Sequence, residues 1–222
     1  MTRNDDLALM FSGGKDSVAA FMRLGTADRP RWLVTTCNED NARVALHGTS
    51  IDLLRLQADR LGVPLVAIPL PESCDNATYL RRVAEGLSPL KREGLGRIAF
   101  GDLFLDDIRA FREAQCRDLD LAPVFPLWGE DTAAMAERLP REGLDARVCC
   151  VDTDRIDPVA LGRRWTPRWL AAYAPGADPC GENGEFHTFV VDAPVFRAPI
   201  TVRSGRTELS GGRFRMLDLR PA

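Results

Sequence analysis

The chain has 222 residues, 45% of them apolar and 27% charged, with 29 Lys and Arg against 32 Asp and Glu for a net charge of −3. That composition excludes a disordered chain, and the length supports one large domain or one domain and a remainder. The slight acidity speaks against nucleic acid held by bulk charge. No apolar run approaches the roughly 20 residues that cross a bilayer.

The elements follow in chain order. Leu7–Phe11 reads as a strand, Ser12-Gly13-Gly14 as a turn, and Asp16-Ser17 as the opening of a helix through Met22. Trp32–Thr36 is a second strand. Thr49 or Ser50 caps a helix on the stripe Ile51, Leu54, Leu61, and Gly62 stops it. Pro64–Ile68 is a third strand, Asn76–Gly86 a helix, and Arg97–Phe100 a strand ending at Gly101-Asp102. Asp106–Leu119 is a helix and Pro123–Leu127 a fifth strand. This alternation predicts an α/β fold with a parallel, Rossmann-like sheet. Its ligand crevice lies beyond the strand ends at Ser12–Ser17, Thr35-Thr36-Cys37 and Gly101-Asp102.

After residue 128 the pattern changes. Asp131–Leu139 is a helix, Ala146–Val151 a strand, and Thr166-Pro167 opens a helix running to Tyr173. A polar, glycine-rich stretch, Asp178–Thr188, precedes strand-like patches at Phe189–Val191, Ile200–Arg203 and Phe214–Leu219. Ser204-Gly205-Arg206 reads as a hairpin turn. The chain thus divides into residues 1–128 and a smaller α+β domain, 129–222, which is open to sharing the first sheet.

Six cysteines occur without a C-x-x-C pair, and Met1–Asp6 lacks a secretory layout. Reduced thiols in a cytoplasmic protein are expected. Arginine is the default cation, with 27 copies against Lys15 and Lys91, and His47 and His187 are the two histidines. Lys15 and His187 both fall in the chemical motifs.

Ser12-Gly13-Gly14-Lys15-Asp16-Ser17 has the parts of a phosphate site. Its glycines turn the backbone, the helix start adds partial positive charge, and Lys15 adds a full one. Asp16 would repel phosphate unless it holds a metal or the loop itself. The spacing is neither G-x-x-x-x-G-K-[ST] nor G-x-G-x-x-G. Asp102, at a strand end, suits Mg²⁺, and Asp106 and Asp107 suit a helix N-terminus. Arg109 and Arg112 sit one turn apart, and either can meet a phosphate or carboxylate or pair with Asp106 or Glu113. In the last motif, Cys180, Glu182, Asn183, Glu185 and His187 can orient an amine and move a proton, or form a polar turn. The Cys180–His187 spacing, with no second pair, is not a zinc pattern.

The string S-G-G-K-D-S matches the pyrophosphatase-type loop of the adenine-nucleotide α-hydrolase superfamily. With Gly101-Asp102, Pro126-Leu127-Trp128 and Cys180-Gly181-Glu182-Asn183-Gly184-Glu185 following in order, almost the whole chain resembles the diphthine–ammonia ligase family. The resemblance implies a HUP-type ATP-binding domain, cleavage of ATP to AMP and pyrophosphate, and amidation of an adenylated carboxylate by ammonia. It carries Ser12, Gly13, Gly14, Lys15, Asp16 and Ser17 over as the phosphate site, and the strand ends add Thr36, Cys37, Gly101 and Asp102 to the expected ATP site, with Mg²⁺ on Asp102. Lys15, Asp16, Glu182, Glu185 and His187 take catalytic roles. Asp106, Arg109, Asn183 and Thr188 face a carboxylate substrate, either a small molecule or a modified protein side chain. No membrane or nucleic-acid partner is expected, and a homodimer stays open. The last motif continues as Phe186-His187-Thr188, where archaeal and eukaryotic ligases usually read G-E-Y-E-T, a departure shared with a bacterial-type subgroup. The alternatives are a tRNA-modifying enzyme with the same loop, for which Arg163, Arg164 and Arg168 supply a local basic patch, and a non-catalytic ATP or AMP sensor.

Overall fold

A computed structural model describes residues 5–44 and 48–222, which leaves His47 outside the described residues. Five strands, β1 (Asp6–Met10), β2 (Trp32–Asn38), β3 (Leu65–Leu70), β4 (Leu95–Ala99) and β5 (Ala122–Val124), form a parallel sheet in the order β3-β2-β1-β4-β5. Helices α1 (Lys15–Leu24), α2 (Ile51–Leu61), α3 (Asn76–Arg92) and α4 (Asp106–Asp118) connect them. The chain winds outward from β1 to β3 and then crosses to β4, so the strand order reverses between β1 and β4. A crevice opens at such a reversal.

Side-chain alternation on β1 explains the layers. Leu7, Leu9 and Phe11 join the core under α1 and α2, while Ala8 and Met10 join the core under α3 and α4. A strand buried on both faces belongs in the middle of a parallel sheet. Helices α2 and α3, and two helices of the second half, open on side-chain caps. Ser50 accepts from Leu53 N–H, Asp75 from Thr78, Asp131 from Ala134 and Thr166 from Trp169.

The second half builds an antiparallel sheet of its own from β6 (Asp145–Asp152), β7 (Phe186–Asp192), β8 (Val202–Ser210) and β9 (Phe214–Pro221), in the order β7-β6-β9-β8. Two helices, α5 (Thr132–Arg141) and α6 (Pro167–Tyr173), accompany it. The first sheet is therefore not shared. The α1–α2 core is nevertheless continuous with Val148, Phe189 and Leu217 of the second sheet. No helix among the described residues is long and apolar enough to cross a membrane.

Four expectations shift. Helix α3 runs past Gly86 to Arg92, because that glycine packs against β3. A Cβ there would lie 2.6 Å from Ile68 Cδ1. Strand β5 ends at Val124, and a turn with Trp128 N–H bonded to Phe125 O replaces its expected second half. Strand β7 begins at Phe186, absorbing His187 and Thr188 from the expected loop. Ser204-Gly205-Arg206 lies inside β8 at a bulge opposite β9, and the hairpin turns instead at Gly211-Gly212, where φ is +57° and +70°.

Candidate functional site

A cavity of about 640 Å³ opens at the carboxyl ends of β1, β2 and β4. Ser12, Lys15, Asp16 and Ser17 form one wall, and Thr36, Gly101 and Asp102 line the strand ends. Cys180, Glu182, His187 and Thr188 reach in from the second half of the chain. The sequence motifs thus converge on one chamber, at the place the strand order predicts.

The loop at residues 12–17 is held from three directions. Gly13 takes a left-handed φ of +77°, and a Cβ there would lie 2.5 Å from Gln57 Oε1. Ser17 Oγ donates to Gly14 O at 2.9 Å. Thr188 Oγ1 of β7 accepts the Lys15 N–H at 3.0 Å, and Val190 N–H donates to Gly13 O at 2.9 Å. Gln57 of α2, fully buried, donates through Nε2 to Gly13 O at 3.0 Å and to Val190 O at 2.7 Å. One amide therefore ties α2, the loop and β7 together. Gly101 lets β4 approach, because a Cβ there would stand 3.1 Å from the Asp16 backbone carbonyl carbon. Replacing Gln57 by leucine strips Val190 O of this donor in a buried setting. A loss of about 1–3 kcal/mol in urea unfolding is expected.

The electrostatics are acidic around one buried ammonium. Lys15 is 2% exposed, with Nζ 2.8 Å from Asp16 Oδ2 and set over the rings of Trp165 and Phe186 at 5.7 and 5.4 Å. Burial pulls its pKa down, but the neighbouring acids, Asp16 first and then Glu182, outweigh that and push it up to about 12. The ammonium stays charged. Burial, reinforced by Asp16, pushes the Glu182 carboxyl up to about 8, against the pull of Lys15 and with Asp178 and Asp102 adding to the rise. Burial also raises Asp102, opposed by Arg112. The Cys180 thiol is driven well up by burial, so it is neutral and no nucleophile at ordinary pH.

The stretch from 178 to 186 takes its shape from two carboxylates. Glu185, 2% exposed, accepts from Asp178 N–H, Asn183 N–H and Asn183 Nδ2 at 3.1–3.2 Å, and from Arg155 Nη1 at 3.2 Å. Asp178 accepts from the Cys180 and Glu182 amides and from Thr132 Oγ1 of α5. Arg155 also pairs with Asp152, which Arg213 grips through two nitrogens. This framework turns Glu182 toward the cavity.

Several expected site residues lie outside the cavity lining. Glu185 and Asn183 bond each other and shape the loop. Cys37 is buried in the α1–α2 core, and Asp106 sits in the first turn of α4. Gly13 and Gly14 supply loop backbone. Arg109 pairs with Glu113 at 2.8 Å and stacks over Trp128 at 4.6 Å, while Arg112, one turn on, lines the cavity instead. Among the residues not expected, Gln57 had a readable signal. It is a polar residue one turn after Leu54, on the buried stripe of α2. Arg155 had none for its link to the last motif, because Glu185 lies 30 residues away.

Comparison with known proteins finds matches over both halves of the chain. Residues 6–123 match the family model described as the diphthamide synthase N-terminal domain, and residues 131–216 match the diphthamide synthase C-terminal domain. The diphthine–ammonia ligase of Danio rerio is 27% identical over 225 residues, covering 89% of this chain and 86% of that protein. That of Bos taurus is 25% identical over 223 residues, covering 89% and 83%. A solved structure from Methanocaldococcus jannaschii, named for a predicted subunit of tRNA methyltransferase, covers 86% of this chain and 98% of its own at 15% identity and a TM-score of 0.45. With both of its domains matched in order, the chain belongs to the diphthamide synthase family.

Proposed function

We propose that the protein is an ATP-dependent, AMP-forming ligase that adenylates a carboxylate and amidates it with ammonia or an amine. The observation that carries this reading is one cavity shared by the loop at residues 12–17, at the start of α1, and by Glu182 opposite it. Residues 1–128 serve as the nucleotide part and 129–222 as the substrate part. A carboxylate oxygen bonds to the α-phosphorus as the bond to the bridging oxygen breaks, and pyrophosphate leaves on the loop. The nitrogen then bonds to the acyl carbon, the carbon–oxygen bond breaks, and AMP and a proton leave.

Lys15 and the α1 N-terminus hold the charge of the leaving pyrophosphate. Thr36 lies on the nucleoside side. Glu182 has a proton affinity matched to an incoming ammonium, and it takes the proton that the nitrogen gives up. The donor set fits a shared Mg²⁺. Asp16 Oδ1 and Asp102 Oδ2 are buried without hydrogen-bond partners, but no group of three or more His, Cys, Asp or Glu gathers among the described residues. Asp102 would hold the ion, which would supply neutralisation of phosphate charge. Six free cysteines suit a reducing, cytoplasmic setting.

His187 lines the cavity where the archaeal and eukaryotic motif carries a glutamate. A wall that exchanges a carboxylate for an imidazole supports membership of the bacterial-type subgroup and an acyl substrate other than diphthine. The tRNA reading gains little from the basic patch. Arg164 pairs with Asp145, and Arg163 donates to Val159 O and stacks on Tyr173. ATP turnover with Mg²⁺, ammonium and a metabolite extract, resolving AMP from ADP, tests the proposal. AMP and pyrophosphate appearing only with extract is the expected result, and ADP as the product overturns it.

A further inference from the structure

We infer that Arg112 anchors the carboxylate of the acyl substrate, and that this substrate is an organic acid whose apolar body seats against Leu105, Ile108 and Phe111. The inference rests on the ligase reading above. An acid entering this cavity faces Asp16, Asp102 and Glu182, so it needs a cation with an N–H to spare. Lys15 and Arg112 are the Lys and Arg residues among the described lining. Lys15 is bonded to Asp16 at the phosphate loop. Arg112 belongs to a pair that is not closed. Its Nε stands 3.8 Å from Asp102 Oδ2, and both atoms are buried without a hydrogen-bond partner.

The guanidinium is fixed in direction. Nη1 donates to the Tyr79 hydroxyl at 3.0 Å, and the plane lies over Phe100 at 5.0 Å and Phe111 at 5.9 Å. A planar fork braced on aromatic faces, with an unused buried N–H, is a receptor for a carboxylate. Leu105, Ile108 and Phe111, from the same helix and the turn before it, give the cavity an apolar wall beside that fork. Arg109 cannot share the task, being engaged with Glu113 and Trp128. The arrangement also separates substrate from product. The acid carries the charge that Arg112 grips, whereas the amide is neutral, so the hold weakens once the reaction is complete.

The test is titration calorimetry with 3-phenylpropionate and 3-phenylpropanamide as probes. Each is measured with and without α,β-methylene-ATP, whose α–β bridge is not cleaved. Wild type is expected to bind the acid roughly tenfold tighter than the amide, the value of one charged hydrogen bond. Arg112→Gln is expected to erase that preference, Arg112→Lys to keep part of it, and both to bind the nucleotide analogue as wild type does. Equal binding of acid and amide by wild type overturns the inference. So does an Arg112→Gln variant that loses the nucleotide analogue but keeps the acid preference, which makes Arg112 a phosphate contact. If Arg112→Gln does not fold, the wild-type comparison and Arg112→Lys decide the matter. Failure of wild type to bind the analogue counts against the ligase reading instead, and the acid–amide comparison without nucleotide still judges Arg112.

Discussion

Lys15→Met is expected to lower AMP formation about a thousandfold or more while the protein stays folded, the scale seen when one aimed donor is lost from a closed site. The methionine fills most of the same volume between Trp165 and Phe186, so packing survives and charge does not. The reason for so large an effect is the absence of a substitute. The carboxyl groups of Asp16 and Asp102 lie beside the loop, and Lys15 is the cation bonded to Asp16 on it. A polyphosphate brought there without the ammonium meets repulsion. Quenched-flow measurement of AMP and pyrophosphate, with thermal melting as the folding control, checks this. Turnover within tenfold of wild type would remove the loop from the chemistry.

Glu182→Gln is expected to make the nucleotide-free protein more stable at pH 8 and to abolish amide formation. In the folded protein, burial and Asp16 lift the Glu182 pKa from the ordinary 4.5 to about 8. Between those values the folded state keeps a proton that the unfolded chain has released. Wild-type stability therefore falls as pH rises from about 4.5 to about 8, and this contribution is fully present only below that window. Glutamine has no proton to lose. The two proteins should match near pH 4.5 and separate to on the order of 3 kcal/mol at pH 8, after allowance for residual solvent. Denaturant unfolding across that range reads the difference directly. Parallel stability curves would show that the carboxyl is not held in the neutral form.

The parts of the molecule readable from sequence are those where local rules and tertiary packing agree. Leu7–Phe11 followed by a glycine turn and a helix start reads as a strand feeding a loop into a helix, and β1 and α1 stand there. The caps at Ser50 and Thr166 stand where side-chain chemistry puts them. Gly86 misled because a helix interior and a helix end can both hold glycine. Here the reason is Ile68, a residue of another element. Gly211-Gly212 was the stronger turn signal, but Ser204-Gly205-Arg206 had similar composition and came first. The choice between Arg109 and Arg112 was not legible at all. Residues one turn apart share a helix face, and which one enters the cavity depends on Trp128 and Phe125 taking up the other. The paired acids of the last motif looked equivalent in the sequence. Backbone amides of Asp178 and Asn183 made Glu185 a frame and left Glu182 facing the chamber.

The triple hold on Gly13 and Lys15 has a consequence for synthesis of the chain. Thr188, which accepts the Lys15 N–H, lies 173 residues further along the chain, so it leaves the ribosome well after the loop does. At roughly 5–20 residues per second, the unfinished loop waits about ten seconds or more for its strand. A nascent or truncated chain thus carries the S-G-G-K-D-S string without the geometry to use it. The loop therefore reaches its described geometry only after β7 has emerged and packed against it.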